Sequence, residues 1–250
     1  MGSGQIRTAT YPVSRVLIRV MTEQIIRQYV NFIFFKVDSA WHQAEESVKS
    51  RAHEEFQKIT DSFKSQMILR SYSTRGIRAE MDFFLWRIAE TLEPFEAMSS
   101  ALAKTFLGRH LKTTLSFLAM TKRSMYIDKH VHEAQEGRRT RIVPGDAKYL
   151  FIYPFVKSRE WYLLSKEDRQ KMMDEHIRIG HKYPSVKLNT TYSFGLDDQD
   201  FVVAFETDKP EDFLDLVMEL RETKSSTYTV RDTPIISGIQ KPLSEILTSL

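Results

Sequence analysis

The chain has 250 residues, 42% of them apolar and 12% aromatic, with 36 Lys and Arg set against 33 Asp and Glu. That is the composition of a folded globular protein, and a net charge of +3 gives no case for a nucleic-acid footprint. The absence of cysteine excludes disulfides and thiolate metal sites and favours a cytoplasmic address, while no apolar run approaches the roughly 20 residues that span a bilayer. Residues 1–28 read as an N-terminal arm. Val13, Leu17, Val20, Met21 and Ile25 fall near helical spacing over 11–27, but Arg15, Arg19 and Glu23 interrupt the stretch, so it is no secretory signal.

Residues 29–122 form the first organised unit. The run Tyr29-Val30-Asn31-Phe32-Ile33-Phe34-Phe35 predicts a strand over 29–38. Ser39 is then placed to cap a long charged helix reaching about Phe63. Strands follow around 67–75 and 82–89, Pro94 opens a helix to about Leu111, and 113–121 reads as a closing strand. Residues 123–148, with Arg138-Arg139-Thr140-Arg141 and Pro144-Gly145-Asp146, have no periodicity and read as a linker. The pattern then restarts over 149–240: strand 149–157, helix 165–182, strands 187–194 and 201–207, helix 210–222, strand 228–237.

The two units repeat one order, β-α-β-β-α-β, which is the ferredoxin-like arrangement. Asp82-Phe83-Phe84-Leu85-Trp86 has its counterpart in Asp200-Phe201-Val202-Val203-Ala204, and Pro94 in Pro210. Each sheet has a face to bury, and mutual burial gives an α+β fold of tandem ferredoxin-like repeats packed as a dimeric α+β barrel.

The halves differ in their chemistry. In the second, Met172-Met173-Asp174-Glu175-His176 puts His176 four residues after Met172 and three after Met173, on the apolar stripe of its helix. An inward imidazole on a rigid helix suits the fifth ligand position of a haem iron; a satisfied core histidine is the alternative. His181, near the helix end, reads as exposed. The first half's helix offers only His42 and His53 among charges. His130 and His132 lack a third nearby ligand for zinc, and no phosphate loop, His-Glu-x-x-His or Gly-x-Ser-x-Gly motif occurs.

Four motifs in order, Tyr153-Pro154-Phe155-Val156-Lys157, Arg159-Glu160-Trp161-Tyr162-Leu163-Leu164, Met172-Met173-Asp174-Glu175-His176 and Gly195-Leu196-Asp197-Asp198, resemble the chlorite dismutase family over about residues 29–239. The resemblance implies a haem-binding protein, commonly homopentameric, in a family of chlorite dismutases and of coproheme decarboxylases that use hydrogen peroxide. It implies His176 as the iron ligand and Tyr153 as the decarboxylases' catalytic tyrosine. Lys157, Arg141 and, near the last strand, Ser225 become groups that hold porphyrin propionates.

The chain departs from the chlorite dismutases at the distal position. Their arginine stands about thirteen residues beyond the iron ligand, where this chain has Asn189, or Leu188 if the segment is one residue shorter. No Arg lies between Arg178 and Arg221. The resemblance therefore implies a cytoplasmic haem-dependent oxidoreductase, a coproheme decarboxylase whose porphyrin substrate is also its cofactor, with iron as coproheme or haem b. Chlorite decomposition, or haem binding without catalysis, is the alternative.

Overall fold

The computed structural model describes residues 27–126 and 141–250. All but the last residue of the helix expected over 11–27, and His130 and His132, lie outside them. The first strand, β1 (Tyr29–Val37), is apolar on both faces because both are covered. Val30, Phe32 and Phe34 point to one buried cluster, and Ile33, Phe35 and Val37 to another.

The first half continues through α1 (Glu46–Ser62), β2 (Ile68–Ser73), β3 (Phe83–Ala89), α2 (Glu93–Ala103), α3 (Phe106–Arg109) and β4 (Leu111–Met120). Two expected boundaries move. Ser39 does not cap α1: Trp41 N donates to Asp38 Oδ1 (2.9 Å), and a 3-10 turn seats the fully buried Trp41 before the helix starts at Glu46. The helix expected to reach Leu111 breaks at Thr105, whose Oγ1 accepts from Gly108 N (2.8 Å) and starts α3 afresh.

The second half repeats the order as β5 (Tyr149–Lys157), α4 (Arg159–Leu163), α5 (Lys166–Gly180), β6 (Lys187–Tyr192), β7 (Phe201–Thr207), α6 (Pro210–Arg221), β8 (Thr229–Arg231), β9 (Ile236–Gln240) and α7 (Leu243–Thr248). The strand expected over 228–237 is two strands, since Pro234 between them has no N–H to give a ladder.

The strand order is β7-β6-β4-β1-β3-β2-β9-β5-β8, and β5 pairs again with β7, so the ladder returns on itself. Within each half the pairing is extensive; β1 and β3 match from Tyr29↔Ala89 to Phe35↔Phe83. The halves join at two short seams, Met120↔Tyr192 between β4 and β6, and Tyr72↔Gln240 with Ser73↔Ile239 between β2 and β9.

Side chains from both halves fill the ring's interior, among them Phe32, Phe34, Phe84, Trp86, Leu150, Ile152, Val202 and Ile236. Gly238 is needed there, because a Cβ would lie 2.5 Å from Phe84 Cε1. The outer face of the first half is packed solid under its helices, with Trp41, Phe56, Leu85, Met98 and Leu102 buried. On the second half the outer layer is thinner: Tyr153, Phe205, Phe213 and Leu216 are buried, but Phe151, Phe155, Ile179 and Val203 only partly so.

Candidate functional site

That under-filled face is where the sequence-predicted residues gather. Tyr153, Phe155 and Lys157 alternate outward along β5, and Val203 and Phe205 along β7. On β6, Thr190 pairs with Val203 and Leu188 with Phe205, so Leu188 and Thr190 share this face and are exposed. Helix α5 covers it, and Ile179 packs into the same cluster. The helix begins where Ser165 Oγ accepts from Asp168 N (3.0 Å), with Glu167 and Asp168 in its first turn.

His176, three residues before Ile179, keeps part of its surface accessible, and neither ring nitrogen has a hydrogen-bond partner among the described residues. Burial, and then the Lys157 cation, push its pKa from 6.5 down to about 4. The imidazole is therefore neutral at ordinary pH, with its lone pair available. His181 is exposed at the C-cap of α5, as expected.

Tyr153 is 7% exposed and stacks on Phe205 (centroids 5.7 Å apart, 20° between planes). Burial, reinforced by Asp232, pushes its phenol well above the ordinary range. It therefore keeps its O–H at any working pH. Asp232 is in turn paired with Arg221 (3.0 Å).

Lys157 reaches across the site. Its Nζ donates to Ser225 O (2.6 Å) and Thr229 Oγ1 (3.3 Å), and lies 5.0 Å over the Phe155 ring and 4.8 Å over Trp161. Burial lowers its pKa from 10.5 to about 8. Ser225 sits in a 3-10 turn, Lys224–Tyr228, that bridges the two partners: Lys224 N donates to Glu175 Oε2 (3.3 Å) next to His176. Ser225 is 2% exposed, and its hydroxyl shares a hydrogen bond with Thr223 Oγ1 (3.0 Å). The backbone under Lys157 is fixed by Asp200 Oδ2, which accepts from Lys157 N (2.8 Å) and from Tyr162 OH (2.6 Å).

The structure thus brings His176, Tyr153, Lys157 and Ser225 to one face, and leaves two predicted residues elsewhere. Asn189 is turned to the ring's interior, 3% exposed, with Nδ2 donating to Glu206 Oε1 (2.8 Å), away from the face that carries Leu188. A strand alternates its faces, so the neighbour that reaches the site is Leu188. Arg141 lies just beyond β3, in an ion pair with Glu90 (2.8 Å) in the first half rather than beside Lys157. Sequence reading missed Trp161 as a cradle for Lys157, and the Arg221–Asp232 pair beside Tyr153. Trp161 had a signal, standing four residues after Lys157; the pair had none, because the chain returns to Tyr153 only through α6. A hollow of about 430 Å³ on α5, lined by Lys171, Glu175 and His181, contains none of the predicted site residues.

The residues fit a haem. A neutral, accessible imidazole on a capped helix can ligate iron, the apolar face of β5 and β7 can take the macrocycle's plane, and Lys157 can meet a carboxylate.

The family model for chlorite dismutase matches residues 49–241. A coproheme decarboxylase from Mycolicibacterium smegmatis is 30% identical over 188 residues, 75% of this chain and 79% of that protein. A chlorite dismutase from Ideonella dechloratans is 27% identical over 226 residues, 89% of this chain and 79% of that one. Among solved structures, a chlorite dismutase variant from Candidatus Nitrospira defluvii superposes with a TM-score of 0.82 at 28% identity, covering 89% of this chain and 94% of its own. With the motifs, the paired halves and the site in place, the chain belongs to the chlorite dismutase family.

Proposed function

We propose that the protein is a haem-dependent oxidoreductase that decarboxylates coproheme with hydrogen peroxide, His176 being the axial ligand to iron. The observation that carries this reading is a buried, protonated phenol, Tyr153, on the apolar face beneath His176's helix, where Leu188 stands in place of a cation. Bound haem would supply the redox-active iron at which peroxide is reduced. For each propionate, one peroxide and one proton are consumed, and a vinyl group, carbon dioxide and two waters are formed.

Tyr153 would relay hydrogen: it would lose its hydroxyl hydrogen atom to the oxidant that bound haem and peroxide supply and regain one from the propionate methylene attached to the ring, the same oxidant taking the second electron as the carbon–carboxylate bond breaks and carbon dioxide leaves. Burial suits it to this task, since deprotonation would forfeit the hydrogen. Lys157 exchanges its contact with Ser225 O for a propionate carboxylate, a charge-assisted bond. Arg141 would have to leave Glu90 to reach a propionate, and an exposed pair of that kind is worth only about 0–1 kcal/mol. Chlorite turnover would want a distal cation, and the accessible β6 side chains on this face are Leu188 and Thr190.

On this reading residues 29–122 brace and residues 149–240 bind. The family's homopentameric assembly and a cytoplasmic address go with it; no helix among the described residues is long and apolar enough to cross a membrane. The test is titration with coproheme, then peroxide, with mass analysis of the porphyrin. Loss of carboxyl groups is expected in the parent, and binding without loss in Tyr153→Phe. An unchanged porphyrin mass in the parent, or oxygen release from chlorite instead, would overturn the reading.

A further inference from the structure

The β2–β9 seam opens into a groove of about 670 Å³ that shares no residue with the His176 group. Lys64, Arg70, Lys148 and Lys241 line it, against Asp146 as the one acid. Asp146 is 3.7 Å from Arg70 with its side chain 92% exposed, so it offsets little of that charge. Lys64 pairs with Asp61 (2.6 Å), but neither Lys148 nor Lys241 makes an ion pair among the described residues.

The floor has unmet hydrogen-bonding capacity. Arg70 and Tyr72 alternate onto the interior face of β2, and Gln240 pairs directly with Tyr72. Arg70 Nε and Gln240 Oε1 are buried without hydrogen-bond partners. Both side chains are partly exposed, so a small rotation brings either atom to an occupant of the groove, which recovers the cost of leaving it unmet. Leu69 and Pro242 add an apolar wall able to take a carbon skeleton. The volume falls in the range of about 300–1,000 Å³ usual for small-molecule sites. A lone carboxylate among four cations does not suit a metal ion.

We propose that this seam binds a small hydroxylated organic anion carrying two or more negative charges, a polycarboxylate or a phosphate ester. Its charge would meet Arg70, Lys148 and Lys241, and its hydroxyl would donate to Gln240 Oε1. Because the groove joins β2 of the first half to β9 of the second, an occupant there ties the halves together at one of their two short seams.

The full chain is titrated calorimetrically with citrate and, separately, with glucose 6-phosphate at low salt. Saturable binding of at least one is expected, weakening as salt is added and falling tenfold or more in the double variant Lys148→Ala, Lys241→Ala. Both lysines are exposed, so a melting curve should show that variant still folded. Preference for citrate assigns a polycarboxylate; preference for glucose 6-phosphate assigns a phosphate ester. Lys157→Met should leave the affinity unchanged, which separates this groove from the porphyrin-binding face. Failure of both probes to saturate, full affinity in the double variant, or loss in Lys157→Met would overturn the proposal.

Discussion

Asn189 Nδ2 donates to Glu206 Oε1 at 2.8 Å inside the strand ring, and that bond commits the adjacent Leu188 to the outer face. Glu206 is 2% exposed and also accepts from Gly145 N (2.6 Å) and Lys187 Nζ (3.3 Å). Asn189→Ala should therefore lower stability by about 1–3 kcal/mol in chemical denaturation, through the hydrogen bond lost at a buried carboxylate, and leave the haem absorbance of the folded protein unchanged. Leu188→Ala should do the reverse, altering the bound haem's spectrum at little cost in stability. A spectral change in Asn189→Ala alone would mean that the strand's faces are assigned the wrong way round.

The acid edge of porphyrin binding should lie low. A proton and an iron compete for the same His176 lone pair, and protonation occurs at about 4 rather than 6.5. Coproheme affinity should hold as pH falls from 7 to 5 and collapse only near 4. In the ligand-free protein the unfolded histidine binds a proton between those values while the folded one does not. This contribution to stability is thus complete above pH 6.5 and lost as pH falls towards 4. Melting temperatures of His176→Phe and its parent, compared at pH 7 and 5, should show a smaller fall in the variant.

Lys157 sets the alkaline edge. Its ammonium is lost as pH rises through about 8, so affinity for a carboxylated porphyrin should decline above that value. Lys157→Met should weaken coproheme binding by about 10- to 100-fold, the worth of one charge-assisted bond. It also removes a cation that helps to hold His176 down, so the acid edge should move upward in the same variant. Spectrophotometric titration across pH 4–10 reads both edges.

At Gly238 the constraint is steric. Its missing Cβ would sit 2.5 Å from Phe84 Cε1 and 2.9 Å from Tyr72 Cβ, and those two rings are stacked (4.9 Å) and fully buried. Gly238→Ala should cost about 1–3 kcal/mol by denaturant titration, without shifting haem absorbance.

Much of the fold could be read from the sequence, because strands such as β1 and β5 are long apolar runs and Pro94 and Pro210 mark helix starts. The boundaries that moved, at Trp41 and Thr105, depend on one side chain finding a local backbone partner, which periodicity does not register. His176 was visible from its spacing to Met172 and Met173. Whether Leu188 or Asn189 faced the site was not, since one residue of register separates the two answers and only the pairing with β7 fixes it. The partners of Lys157 come from residues 225 and 229, roughly seventy positions away, and no local pattern links them.

The final helix, α7, does not pack on the half that precedes it. Leu243, Ile246, Leu247 and Leu250 are buried with Phe56, Leu85 and Met98 of the first half. The chain is therefore interleaved: its last turn completes a core begun two hundred residues earlier. Neither half can be excised at the linker as a self-sufficient fragment, for residues 29–122 would expose the surface that α7 covers. The duplicated halves have become one cooperative unit, so a defect in the bracing half should be felt as lost porphyrin affinity in the other.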